Sequence, residues 1–233
     1  MQSQVAQLSN IEHKNVKLSM NTNFEHIANH HVTPVIIQEL PRIASDLPVA
    51  FIKNAESQDY ICVAILGLKD GENLLVKDGK WQGPLVPAGY THFPLSLVPF
   101  PEDNAKYAIT IDMASDAISE ETGESLFDDE GNETEHLKSR RQALENYYQC
   151  AISTREFTKT LVDLGLLEEK GFSFEVNGEK RNVTGLHIVD EEKFNQLSDE
   201  ALLDLRKKGY LAPIYAHLLS LAQTQRLVSR IAE

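Results

Sequence analysis

The chain has 233 residues and a formal charge of −13, from 22 basic and 35 acidic side chains. Apolar residues make up 42% of the chain and charged residues 24%, which is ordinary globular composition and excludes a disordered protein. Because an acidic surface repels polyanions, nucleic-acid binding and docking on anionic lipid are both disfavoured.

The pattern along the chain predicts an α+β fold with a β-rich first part and a mostly helical second part. Residues 1–19 are polar and weakly periodic, so we expect a flexible extension there, with Met20 as a possible natural start. Residues 20–233 are then expected to form a single domain, β-rich over 34–134 and mainly helical over 135–233.

The β-rich part is expected to contain antiparallel hairpins. Apolar runs at residues 48–53 and 60–66 flank a short polar turn, which predicts a hairpin, and further strands are expected at 74–77 and 107–113. A proline-rich but apolar segment over 81–101 lies between the last two. Because proline cannot donate to a strand ladder, we expect it to be an edge strand or an ordered, packed loop.

The helical part begins with apolar residues at helical spacing and a stop at Gly165. The dipeptide at 177–178, Asn-Gly, predicts one further hairpin. Ser198 is a predicted N-cap, and Gly209 is the predicted C-terminal end of the same helix. A last helix is expected over 213–231.

Cysteine use and the lack of export signals predict a cytoplasmic protein. The two cysteines, Cys62 and Cys150, form no Cys-x-x-Cys pair and no disulfide framework. The first residues lack the apolar run of a signal peptide, and no stretch approaches the ~18 apolar residues of a membrane helix. Surface association by another route remains open.

Most of the negative charge lies in one segment, residues 101–136. It holds twelve acidic residues against one base, Lys106, a net charge of −11. We expect a solvated acidic hairpin or a docking surface for a basic protein partner. Calcium binding is a further alternative, although Leu126 occupies a position where an EF-hand loop needs an oxygen ligand. The oxygen ligands for calcium would be Asp128, Asp129, Glu130 and Glu133.

A series of short motifs resembles the SapC family of bacterial proteins over about residues 30–230. The motifs are PVIIQELPRIASDLPVAF (34–51), LGL (66–68), GENL (71–74), Trp81, VPA (86–88), FP (93–94), ID (111–112), GESLFD (123–128), LGLL (164–167), VDEEK (189–193) and YAHLLSL (215–221). The resemblance implies an association, by name, with bacterial surface-layer systems. It supplies no active site.

The common catalytic signatures are absent from the sequence. It contains no Gly-x-Gly-x-x-Gly, P-loop, His-Glu-x-x-His or Gly-x-Ser-x-Gly motif. This disfavours dinucleotide oxidoreductases, P-loop enzymes, zincins and the usual serine hydrolases.

His217 is the candidate catalytic residue, with Ser220 and Tyr215 beside it. A histidine at the border of an apolar helix stripe can act as a general base for a neighbouring hydroxyl. The preferred interpretation is structural, a buried histidine bonded to a loop carbonyl, because a base and a nucleophile one helical turn apart seldom form a catalytic pair.

Two other groups are candidate ligand-binding residues. The first group surrounds a turn at Pro41 and consists of Glu39 and Arg42, with Asp46. We expect these residues either to bind a small polar ligand or to form a structural ion pair. The second group lies in the proline-rich segment and suits stacking against a sugar or peptide, or a second hydrophobic core. Its members are Trp81, Tyr90, His92 and Phe93.

His26 and His30 are the candidate metal ligands. On a helix they would lie one turn apart, and Glu25 or a distant carboxylate would complete the site. Solvated histidines in a polar segment are the alternative. No cofactor is identified by the sequence.

Two functions remain open at this point. The favoured one is a non-catalytic accessory or binding protein linked to bacterial surface-layer or surface-polysaccharide systems. The alternative is an enzyme or cofactor-dependent protein that acts on a small molecule through a pocket near His217.

Overall fold

Antiparallel strands dominate the first half of the chain and helices the second, which confirms the α+β prediction. The computed structural model describes residues 4–20, 23–100, 103–176 and 178–232. Asn177, part of the predicted hairpin turn, lies outside the described residues, as do the first two residues of the acidic segment.

The strands and helices have the following bounds. The strands are β1 (Val5–Gln7), β2 (Lys17–Leu18), β3 (Val32–Pro34), β4 (Val49–Lys53), β5 (Tyr60–Ile65), β6 (Val76–Lys77), β7 (Lys80–Trp81), β8 (Leu95–Phe100), β9 (Asp103–Asp112), β10 (Ile118–Ser119), β11 (Glu124–Ser125), β12 (Leu167–Glu169), β13 (Phe172–Val176), β14 (Glu179–Val183) and β15 (Leu186–Val189). The helices are α1 (Leu40–Ile43), α2 (Ala88–Thr91), α3 (Glu135–Asp163), α4 (Glu191–Asn195), α5 (Asp199–Lys207), α6 (Leu211–Ser220) and α7 (Thr224–Ala232).

Contacts divide the chain into two compact units, residues 1–26 with 88–149 and residues 27–87 with 150–233. Helix α3 contributes its first half to the first unit and its second half to the second unit. The compositional boundary near residue 135 therefore falls inside the first unit. The single domain over 20–233 stays a prediction.

The first unit contains the three-stranded sheets β1-β9-β8 and β10-β2-β11. Within the segment predicted to be a flexible extension, residues 1–19, Val5–Gln7 pairs with β9, and Val16 and Leu18 are both 4% exposed in the core. The few apolar residues of this polar segment therefore serve as core residues. Strand β8 is an edge strand, as the prolines around it indicate.

Helix α3 begins and ends at residues suited to helix termini. Thr134 Oγ1 accepts a hydrogen bond from the Leu137 N–H at 3.2 Å, which is an N-cap bond. At the other end Gly165 has φ +65°, and the N–H groups of Gly165 and Leu166 bond back to Val162 and Leu161. This is a Schellman ending, so the predicted stop at Gly165 is confirmed.

The second unit is organised around the five-stranded sheet β12-β15-β4-β5-β3, in which each neighbouring pair is antiparallel. The predicted hairpin of β4 and β5 is confirmed. Phe51 of β4 is fully buried, and its ring centroid lies 6.3 Å from that of Phe157 on α3. The apolar runs of β4 and β5 thus provide the core of this unit.

The C-terminal helices confirm one prediction and correct another. Ser198 caps α5 by accepting from the Ala201 N–H, and Gly209 has φ +76° just beyond its end, as expected. The single helix expected over 213–231 is instead α6 and α7, separated by a 3-10 segment at Leu221–Gln223. The Ser220 hydroxyl donates to the His217 carbonyl at 2.6 Å, which competes with the α-helical bond of that carbonyl.

Candidate functional site

His217 is fully buried, and both of its ring nitrogens are bonded to the backbone. Nε2 accepts from the Val189 N–H at 3.0 Å, and Nδ1 donates to the Val49 carbonyl at 3.0 Å. Burial lowers the pKa of His217 to about 4, and the bond to Val49 opposes this only in part. A neutral ring with one donor and one acceptor, both engaged, has no site left for a substrate proton.

Ser220 is bonded to the backbone on both sides, whereas Tyr215 lies largely at the surface. The buried Ser220 hydroxyl donates to the His217 carbonyl and accepts from the Val49 N–H at 2.9 Å. Tyr215 is 52% exposed, with its ring 5.6 Å from that of Phe194. Ser220 and His217 together therefore fix the start of β4 to helix α6.

The three polar residues around Pro41 lie in different surroundings. Glu39 Oε1 accepts from the Ile36 N–H at 3.1 Å, and Arg42 is exposed. The buried carboxylate of Asp46 lies 3.1 Å from Arg226 Nη1 and 3.6 Å from Arg230 Nη2. The ion pair of this turn thus connects it to helix α7, a partner far away in sequence.

The aromatic candidates are divided between the two units. Trp81, in the second unit, donates from Nε1 to the Leu85 carbonyl at 3.0 Å. Tyr90 and His92 belong to the first unit, where the His92 ring lies 5.2 Å from that of Tyr147. The His92 carbonyl accepts from Arg140 Nη2 at 3.0 Å, and burial and then the Arg140 charge lower the pKa of His92.

His26 and His30 do not lie on one α-helix. His26 is in a 3-10 segment, Glu25–Ile27, that ends before His30, and its ring stacks on Phe93 with 3.9 Å between centroids. Partial burial and the neighbouring His31 lower the pKa of His30. Among the residues that the structure describes, no cluster of three or more His, Cys, Asp or Glu side chains suits a metal ion.

Asp128 has a structural role within the acidic segment. Its Oδ1 accepts from the backbone N–H groups of Glu130 and Asn132 at 3.0 and 2.8 Å, and its Oδ2 accepts from the Asn132 side chain. These bonds, those from Asn132 first, lower the pKa of Asp128. The carboxylate of Asp128 therefore stabilises a tight turn, and both of its oxygens already accept hydrogen bonds.

A cleft in the first unit, here called the Arg141 cleft, is the site that sequence reasoning missed. Its volume is about 650 Å³. Arg141 binds Glu133 through two hydrogen bonds, Nε to Oε2 and Nη2 to Oε1. Phe100 and Tyr107 provide aromatic surface, and the remaining polar groups come from residues 7–12. A second cavity, of about 250 Å³, lies near Tyr60 in the other unit.

His217 lines neither of these two cavities. Neither cavity is therefore the pocket beside His217 that the enzyme hypothesis requires.

No local sequence signal identifies the Arg141 cleft. Its walls come from three separate segments, around residues 7–12, 100–109 and 127–141. The pairing of β1 with β9 brings the first two together. Glu133 and Arg141 are eight residues apart, a spacing that does not by itself indicate an ion pair, because side-chain pairs on a helix are three or four residues apart.

Comparison with known proteins identifies one family. The family model described as SapC matches residues 8–227. No curated protein and no solved structure matches the chain. Within the described parts of the chain, no helix combines the length and apolar composition needed to cross a membrane.

Proposed function

The chain belongs to the SapC family, and we propose that it is a non-catalytic binding protein that serves a bacterial surface-layer or surface-polysaccharide system. The observation that carries this proposal is the state of His217, whose two ring nitrogens are bonded to Val189 and Val49. An enzyme acting through this residue would have to break at least one of these bonds and leave a buried backbone group unpaired, at a cost of about 1–3 kcal/mol for each bond broken.

The proposed docking surface is formed by exposed acidic residues of segment 101–136. Glu120, Glu121 and Glu130 are exposed and lie outside the paired strands β10 and β11. Within the described residues no ion pair is recorded for them, in contrast to Glu133 and Glu135. Unpaired carboxylates attract a basic partner and raise its association rate without a buried charge in the free protein.

The test is capture of a partner from an extract of the protein's own host. Wild type is compared with a triple variant, Glu120→Lys, Glu121→Lys and Glu130→Lys, and the retained proteins are identified by mass spectrometry. Asp128 is left intact because its bonds form the turn. We expect wild type to retain a basic protein and the triple variant to lose it.

A matched control reverses the same number of charges in the other unit, at Glu56, Glu169 and Glu175, all exposed. It changes the net charge by the same amount and should retain the partner. If both triple variants lost the partner equally, the effect would come from the net charge of the protein and not from this surface. Retention by the acidic-segment variant would exclude this surface as the docking site.

A further inference from the structure

The Arg141 cleft has the size of a ligand pocket. Its volume of about 650 Å³ falls within the range of about 300–1,000 Å³ that such pockets usually have. It lies wholly in the first unit, and its residues differ from those of the proposed docking surface.

One part of the cleft is aromatic. Phe100 is 39% exposed, although a side chain of this size is normally buried. Tyr107 also lines the cleft, and its ring packs against that of Tyr148, with 4.5 Å between ring centroids. Aromatic rings held in this way offer a flat apolar surface to a ligand.

The polar part of the cleft presents donors and acceptors side by side. The Arg141 and Glu133 side chains are 39% and 29% exposed despite their two hydrogen bonds. A guanidinium has five N–H donors and a carboxylate about four acceptor sites, so the pair keeps unused capacity for both. Neighbouring hydroxyl groups, each both donor and acceptor, are the chemical match for such a pair.

The wall formed by residues 9–13 is fixed before any ligand binds. The Ser9 N–H donates to Nδ1 of the buried His13 at 3.0 Å, and the Asn10 side chain donates to the Gly131 carbonyl at 3.0 Å. Gly131 belongs to the turn that Asp128 stabilises. A preformed wall lowers the entropy cost of binding.

The charges of the cleft select against ionic ligands. Glu12 and Glu133 outnumber Arg141, which disfavours phosphates, sulfates and acidic sugars. The carboxylate of Glu133 is already paired with Arg141, so among the described lining residues a cation would find only Glu12 as an unpaired charge in the cleft. What remains is a neutral molecule with a flat apolar face and several hydroxyls, and we propose that the Arg141 cleft binds a neutral saccharide unit, stacked on Phe100 and Tyr107 and hydrogen-bonded by Glu133 and Arg141.

The test is a titration of the ¹⁵N-labelled full chain with glucose, galactose, mannose, N-acetylglucosamine and their short oligosaccharides, followed by NMR. We expect saturable shifts at the amides of Ser9, Asn10 and Gly131 with at least one of these sugars. Sialic acid and inorganic phosphate, as charged probes, should give none. Saturation by the charged probes, or none with any neutral sugar, would overturn the proposal.

Two variants separate stacking from an indirect effect on the sheet. Phe100→Ala removes the stacking surface and should weaken sugar binding roughly three- to tenfold. Val98→Ala, on the same strand and 45% exposed but outside the cleft, is the matched control and should bind like wild type. Equal weakening in both variants would count against stacking on Phe100.

A third variant tests the polar pair. Arg141→Lys keeps the charge but loses the two-pronged hydrogen bonding, and should bind about tenfold more weakly. An unchanged affinity for the sugar would contradict the proposed hydrogen bonding by Arg141. The triple docking variant (Glu120, Glu121 and Glu130 to Lys) should still bind the sugar, so a failure of the saccharide proposal and a failure of partner docking can be told apart.

Discussion

His217 donates from Nδ1 to the carbonyl oxygen of Val49 at 3.0 Å. This bond lies just beyond the last residues through which strands β15 and β4 pair directly. Strand β15 pairs with β4 through His187 and Phe51, and the same register continued places Val189 opposite Val49. The imidazole bridges these two residues, because its Nε2 accepts from the Val189 N–H. The ring thus provides hydrogen-bond partners for two buried backbone groups.

We therefore expect His217→Ala to lower the free energy of unfolding by about 3–5 kcal/mol, because the change leaves a cavity and removes the partners of two buried backbone groups. Urea denaturation measures the difference. The control on the same helix is Tyr215→Ala, at a side chain that is 52% exposed, which should cost about 1 kcal/mol or less. Similar losses for both variants would contradict the bridging role.

The lowered pKa of His217, about 4 in the folded protein, predicts a pH dependence of stability. The unfolded state, with an ordinary histidine pKa near 6.5, binds the proton first as the pH falls. Stability is therefore fully present above about pH 6.5 and decreases towards pH 4, by about 3 kcal/mol from this residue. The measurement is the free energy of unfolding across this range for wild type and His217→Gln.

The free energy of unfolding of His217→Gln should decrease less over this pH range, since carboxylates and other histidines contribute equally to both proteins. Parallel curves for the two proteins would mean that His217 is already titrating normally in the folded state.

Gly67 is expected to accept no side chain. A Cβ atom there would lie 1.9 Å from the backbone oxygen of Glu72, whose carboxylate holds the Leu68 N–H and Arg181. Gly67→Ala must displace this backbone, and we expect a loss of about 3 kcal/mol or more in thermal or urea unfolding. Gly71→Ala is the control, because at φ +74° it meets no atom within 4 Å and should cost only ~1–2 kcal/mol.

Asp46 is expected to hold helix α7 in place. Its side chain is 6% exposed and lies against Arg226 and Arg230, so Asp46→Ala should cost about 1–2 kcal/mol and speed amide exchange in α7. The control is Asp163→Ala, which breaks an exposed pair with Lys159 and should cost less than ~0.5 kcal/mol. Unchanged exchange in α7 would disprove the anchoring role.

Local features of the sequence predicted much of the fold. The β4–β5 hairpin, the stop at Gly165 and the Ser198 cap follow from short-range chemistry, and the structure contains all three. The core role of Val16 and Leu18 was missed, because isolated apolar residues in a polar segment have no periodicity to reveal them. Their burial depends on strands that come about a hundred residues later.

The sequence by itself determined the fold class, the family motifs, the excess of acidic residues and most helix ends, since each rests on composition or on residues a few positions apart. Only the tertiary structure decided the long-range partners of His217, Asp46 and Glu72. The ring of His217 binds residues 28 and 168 positions away, Asp46 pairs with Arg230 at 184 positions, and Glu72 pairs with Arg181 at 109 positions. The Arg141 cleft likewise joins three distant segments, and no local pattern encodes such contacts because chain folding alone brings them together.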